Sequence, residues 1–182
     1  MLRGINVGGH AKVSMSDLRD VVAALGFKGA RTLLQSGNLV FSGGARKGAE
    51  LESLLEKATL GRLNVRTDFF VRTADEWAGI IARNPFSDEA ARDPSHLVVM
   101  ALKGVPTASA VEALRSAVNG PEVIRAAGRQ LYVTYPAGIG RSRLNGTLIE
   151  AKLGTRATGR NWNTVLKLDA LARFAPTANS TP

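Results

Sequence analysis

Apolar positions along this chain fall into two successive passes that share one order of elements. In the first, Leu2–Val7 predicts a short strand running into a glycine-bearing loop, Gly8-Gly9-His10-Ala11-Lys12. Met15, Leu18, Val22 and Leu25 then recur at helical spacing. Ser14 stands before them as an N-cap with Asp17 three residues on, and Gly26 follows as the C-terminal stop. Arg31–Gln35 and Leu39–Ser42 predict two strands around the turn Ser36-Gly37-Asn38. A second helix presents Leu51, Leu54, Leu55 and Ala58 on one face, and Val65–Arg72 predicts a strand. Thr73 and Glu76 form a capping box for a helix that carries Trp77, Ile80 and Ile81 and stops before Pro85.

The second pass repeats the order. His96–Leu102 is an apolar strand, and Val111, Leu114 and Val118 mark a helix ending at Gly120. Glu122–Ala126 and Gln130–Tyr135 predict a hairpin around Gly128. Leu144, Leu148, Ile149 and Leu153 mark a helix with Gly154 beyond its end, and Thr155–Thr158 predicts a short strand. A last helix runs from Trp162 to Arg173, with Val165, Leu168 and Leu171 spaced for burial. Strand–helix–strand–strand–helix–strand is the ferredoxin-like, split βαβ order. The expected fold is therefore α+β: two ferredoxin-like subdomains, residues 1–85 and 86–174, with antiparallel sheets and helices packed on one face. The polar segment Asn84–Pro94 is the expected linker, and residues 175–182, rich in Ala, Thr, Asn and Pro, are the expected disordered tail. The duplication rests on the order of the pattern, because residue identity between the passes is slight.

Composition changes this picture in two respects. The chain of 182 residues has no cysteine, which excludes a disulfide framework and thiolate chemistry. No stretch approaches the roughly 18–20 apolar residues needed to span a bilayer, and Met1-Leu2-Arg3-Gly4 opens no apolar signal region. The expectation is a cytoplasmic protein without membrane contact. The formal charge of +9 is unevenly spread. Residues 1–95 carry 13 basic and 11 acidic side chains, whereas residues 96–182 carry 11 and 4. The second pass has a positive field that favours anionic partners.

Three stretches are more specific than their surroundings. They are Leu2-Arg3-Gly4-Ile5-Asn6-Val7-Gly8-Gly9 with Lys12-Val13 and Met15; Gln35-Ser36-Gly37-Asn38-Leu39-Val40-Phe41; and Gly140-Arg141-Ser142-Arg143-Leu144 with Arg160-Asn161-Trp162-Asn163-Thr164-Val165 and Lys167-Leu168. Together, in this order, they closely resemble the bacterial family known as domain of unknown function 1697, over nearly the whole chain. The resemblance implies paired ferredoxin-like subdomains and brings no settled activity. Members usually carry several residues ahead of the Leu-Arg-Gly motif, and they often have Lys where this chain has His10, which argues against an essential histidine there.

Candidate chemistry is sparse. His10 lies in the glycine loop, where solvation explains it, and His96 opens an apolar strand, where a structural role does. No Gly-x-Ser-x-Gly elbow appears, and Ser142 sits in a basic loop with no histidine nearby in sequence. Metal-ligand spacing is absent, so neither metal nor cofactor is expected, and no catalytic residue is assigned. Gly8, Gly9 and Lys12 form a loop able either to cradle an anion or simply to turn tightly. The strongest constellation is C-terminal. Arg141 and Arg143 flank Ser142 before one helix, and Arg160 and Asn161 precede another that carries Lys167. Arginine forks and helix-start amides suit phosphate or carboxylate. Tyr132, Val133 and Tyr135 faintly resemble an RNA-reading strand, though aromatics are only 5% of the chain. The expected function is binding of a phosphate- or carboxylate-bearing small molecule at Arg141, Arg143, Arg160, Asn161 and Lys167, with Gly8, Gly9 and Lys12 as a second wall. An enzyme using scattered carboxylates, a nucleic-acid binder and a self-assembly module are the alternatives, and the oligomeric state is left open.

Overall fold

Side-chain caps begin two of the helices where the sequence places them. Ser14 accepts from the Asp17 amide at 3.0 Å and opens α1, Met15–Ala24, which Gly26 ends at φ 84°. Thr73 and Glu76 form the reciprocal box at the start of α3, Ala74–Ala82: Glu76 accepts from the Thr73 amide at 2.8 Å, and Thr73 Oγ1 accepts from the Glu76 amide at 3.1 Å. This computed structural model describes residues 1–6, 13–35, 37–43 and 48–173. Gly8, Gly9, His10, Lys12, Ser36 and the expected tail lie outside the described residues. The chain forms two compact units, Met1–Ala78 with Lys167–Pro182, and Gly79–Leu166. This division falls within helices, whereas the boundary expected from the sequence falls at residues 85–86.

In the first unit, α1 is followed by the antiparallel pair β1, Lys28–Leu33, and β2, Asn38–Ser42, and then by α2, Gly48–Leu63. Leu2, Ile5, Leu18, Val22, Leu51, Leu55 and Phe69 form its core. Among the described residues the two expected flanking strands reduce to one antiparallel bridge, Leu2 to Phe69. Gly4 at φ 63° and Asn6 at φ 55° turn the first segment out of the extended region after a few residues. On the other segment, the Phe70 amide donates to the Met1 carbonyl at 2.8 Å, while the neighbouring amides point the opposite way. Phe69 N–H is taken by Glu56 at 2.9 Å and Val71 N–H by Glu52 at 2.8 Å, both from α2. Carboxylates thus occupy donors that a further strand would use.

The motif residues of this unit serve the fold. Leu2 donates to the Gly37 carbonyl at 2.8 Å. Gly37 has φ 73°, and a Cβ there would meet Ile5 Cδ1 at 2.7 Å, so both conformation and space require glycine. Asn6 ties the two stretches together. Its amide donates to the Val13 and Gln35 carbonyls at 2.8 Å each, and its oxygen accepts from the Val13 amide at 2.9 Å.

The second unit contains the end of α3, a helix α4, Ser87–Arg92, and then β3 Leu97–Leu102, α5 Ala108–Ser116, β4 Val123–Ala127, β5 Gln130–Thr134, α6 Gly146–Leu153 and β6 Ala157–Asn161, which runs into α7, Trp162–Arg173. The strands form one sheet in the order β4-β5-β3-β6, with every neighbouring pair antiparallel. The expected element order of the second pass is therefore present. Ala127 pairs with Gln130, leaving Gly128, at φ 58°, and Arg129 as the turn. α5 and α6 cover one face, closing a core of Val98, Met100, Leu102, Leu114, Leu131, Val133 and Ile149. Burying each such aliphatic side chain contributes roughly 1.5–3 kcal/mol before entropy is subtracted.

Two expectations change here. The supposed linker contains α4: the Asn84 side chain accepts from the Phe86 amide at 3.1 Å, Phe86 is buried, and Asp88 and Glu89 occupy the helix's first turn, where its dipole favours acidic groups. The opposite sheet face is also covered, so helices do not pack on one face alone. Tyr132 donates to the Ile80 carbonyl at 2.7 Å, and the Arg125 guanidinium lies 5.9 Å from the Phe86 ring centre. Every residue of β3 is buried, as expected of a strand covered on both sides.

Candidate anion site

Arg141 and Arg143 sit in the segment between β5 and α6, at the end of the sheet where β5 leaves and β3 enters. The Tyr135 amide donates to the His96 carbonyl there at 2.8 Å. A short 3-10 turn, Ile139–Arg141, then brings the chain to Ser142, which is extended at φ −82° and ψ 141°. The Ser142 hydroxyl donates to Glu122 and accepts from the Leu144 amide at 3.0 Å. The other oxygen of Glu122 occupies the space a Cβ would need at Gly120. Tyr135 O–H, buried, donates to the Leu144 carbonyl at 3.0 Å, and Asn145 caps α6 by accepting from the Leu148 amide at 3.0 Å. The loop is thus pinned at successive points.

Arg141 ends the 3-10 turn, and Arg143 follows the extended Ser142. Arg141 and Arg143 are both exposed, and their Cα atoms stand about 6–7 Å apart at the strand rise. Among the described residues neither makes a side-chain hydrogen bond or ion pair.

Arg160 and Asn161 are built differently. Arg160 lies on β6 opposite Val99, half-buried, and its guanidinium donates to Thr158 Oγ1 at 3.0 Å and the Gly159 carbonyl at 2.7 Å. Burial pushes its pKa down to about 10. Asn161 caps α7, its oxygen accepting from the Thr164 amide at 3.0 Å and the Thr164 hydroxyl at 2.8 Å. Lys167 is exposed on α7.

Tyr132 and Tyr135 are fully buried, so neither offers a ring for base stacking. Burial raises both phenols above the ordinary value, and at Tyr135 the charge of Glu122 adds to the effect. Among the described residues no group of three or more His, Cys, Asp and Glu could hold a metal ion, and no helix is long and apolar enough to cross a membrane.

Sequence reasoning missed one pair. His96 Nδ1 lies 2.5 Å from Asp93 Oδ2, and the Ser95 hydroxyl donates to Asp93 Oδ1 at 2.6 Å. These bonds hold the Asp93 carboxyl below its ordinary pKa, Ser95 first and His96 second. The spacing Asp93-Pro94-Ser95-His96 was the available signal, and the apolar strand beginning beside it drew the reading toward structure.

A family model described as a protein of unknown function, DUF1697, matches residues 1–132. No curated protein matches the chain. Among solved structures it is similar to the conserved bacterial protein SP0830 from Streptococcus pneumoniae, with a TM-score of 0.71 at 20% identity, over 94% of this chain and 96% of that one. At that identity the likeness speaks for the fold.

Proposed function

This chain belongs to the DUF1697 family of proteins of unknown function, and on that premise we propose that it binds a phosphate- or carboxylate-bearing ligand through Arg141 and Arg143. The observation that carries the proposal is the braced segment around Ser142, on which both flanking arginines are exposed. Each guanidinium offers a planar fork of donors matched to two oxygens. A braced loop also loses less side-chain and backbone freedom on binding than a loose one. The excess of basic residues in 96–182 supports the reading through the field it sets up. Arg160 and Asn161 belong to the frame in this reading: one is spent on its own strand, the other on the cap of α7.

The fold reading accompanies it. We take the second unit as a ferredoxin-like, split βαβ arrangement, supported by the sheet order β4-β5-β3-β6. In the first unit the same arrangement is supported by Met1–Arg3, which lies between Gly37 on one side and Asp68–Phe70 on the other. Both units close an edge with carboxylates from the preceding helix: Glu52 and Glu56 in the first, and Glu150, which accepts from the Ala157 amide at 2.9 Å, in the second.

The test is calorimetric titration of inorganic phosphate and acetate into the full chain and into Arg141→Ala/Arg143→Ala. A charge-assisted hydrogen bond is worth about 1.5–3 kcal/mol, so the double variant should bind at least about a hundredfold more weakly while its circular dichroism stays unchanged. Equal affinity in the variant, or no saturable binding in the parent, would remove the proposal.

A further inference from the structure

His96 stands at the same sheet end as this loop. The Tyr135 amide donates to its carbonyl, and its Nε2 lies 3.4 Å from where a Cβ on Gly138 would be. Gly138 has φ 86° and opens the 3-10 turn, whose Arg141 amide donates back to the Gly138 carbonyl at 3.2 Å. One such turn advances about 6 Å, within the reach of an arginine side chain. The imidazole is half exposed, at 43%. An ionised carboxylate only accepts, so Asp93 fixes the hydrogen on Nδ1 and leaves the Nε2 lone pair facing the loop.

From this geometry we infer that His96 is a third contact of the anion site, taking up a proton at Nε2 as the ligand binds and donating it to a ligand oxygen. The inference rests on the Arg141 and Arg143 reading and narrows its ligand class to phosphate monoesters. Two guanidiniums and one imidazolium supply three groups of donors, matching the three terminal oxygens of a phosphate monoester, where a carboxylate has two. The proton comes from solvent, and no covalent bond is made or broken. Asp93 meets the imidazole at Nδ1, Ser95 binds the other Asp93 oxygen, and Gly138 of the loop stands beside Nε2, with Arg141 one 3-10 turn along the chain. A bound dianion beside Nε2 would hold the proton there.

Sulfate is the suitable probe, because it is a tetrahedral dianion with no proton of its own to gain near neutral pH. Its binding heat is measured in two buffers of different ionisation enthalpy, which gives the number of protons taken up. The parent should take up a positive fraction of one proton near neutral pH, and its affinity should fall by up to tenfold per pH unit on the alkaline side. His96→Gln should bind sulfate with no proton uptake and a flat pH profile, and Asp93→Asn should show reduced uptake. Phosphate should bind the parent more tightly than acetate does. Sulfate binding with zero uptake in the parent, or the same uptake in His96→Gln, overturns the inference and leaves the arginine site standing. Loss of sulfate, phosphate and acetate binding altogether overturns the arginine site itself.

Discussion

Glu52 offers the sharpest test of how the first unit is held together. It lies on α2 and is 2% exposed. Its Oε1 accepts from the Val71 amide at 2.8 Å and lies 3.8 Å from the Arg72 guanidinium, each side chain 3% exposed. Glu52→Ala removes an acceptor from a backbone donor and a negative charge from beside a buried guanidinium. Breaking a buried ion pair from one side costs about 3–5 kcal/mol, and that figure already includes the hydrogen bond to the same carboxylate. Glu52→Gln keeps an oxygen for the Val71 amide and loses only the charge, so it should cost less, about 1–3 kcal/mol. Urea unfolding gives the global value, and amide hydrogen exchange at Val71 reads the site itself. A loss of about 3 kcal/mol corresponds to at least a hundredfold drop in Val71 protection if the residue exchanges through global opening. If Glu52→Ala costs under about 1 kcal/mol and leaves Val71 protection unchanged, the desolvation of the carboxylate cancels its bonds and the edge is closed by packing alone.

Two further substitutions test other buried polar groups. Thr59 on α2 is fully buried, and its hydroxyl has no hydrogen-bond partner among the described residues; Thr59→Val should therefore raise stability by about 1 kcal/mol, read as a higher urea midpoint. Tyr135→Phe should lower stability by about 1–2 kcal/mol at neutral pH, because the buried Leu144 carbonyl loses its donor. The pH dependence has a definite sign: burial raises the folded phenol above its ordinary 10.0, so the stability linked to the protonated phenol is present below that value and is lost as pH rises beyond it. Urea midpoints taken above pH about 10 should then fall more steeply in the parent than in Tyr135→Phe.

Local sequence signals located the helices well because each is decided within a few residues. Ser14 and Asp17, Thr73 and Glu76, and Gly154 at φ 65° act through bonds or dihedrals within one turn. The hairpin at Gly128 was legible for the same reason. The flanking strands of the first unit were not. Leu2–Val7 and Val65–Arg72 have strand-like patterns, yet among the described residues a single bridge joins them. What interrupts them is a left-handed Asn6 bound to Val13 and Gln35, together with two carboxylates from α2, partners at separations that no local pattern encodes. The helix in the supposed linker was missed because proline and polar content outweighed a six-residue element whose neighbouring Phe86 is buried.

The site divides along the same line. Sequence alone marked Arg141, Ser142 and Arg143 as a basic segment and the second half as the positive one, because charge and composition need no fold to be counted. It could equally mark Arg160 and Asn161, because a guanidinium or an amide near a helix start looks the same whether it faces a ligand or the backbone. Tertiary structure separated them. Pairing β6 with β3 set Arg160 against its own strand, while Ser142 is bound to Glu122 and the arginines on either side of it are exposed. It also brought Gly138 against an imidazole some forty residues earlier in the chain. Which polar groups are spent on the fold and which remain for a partner depends on the neighbours that packing supplies, and those neighbours come from distant parts of the chain.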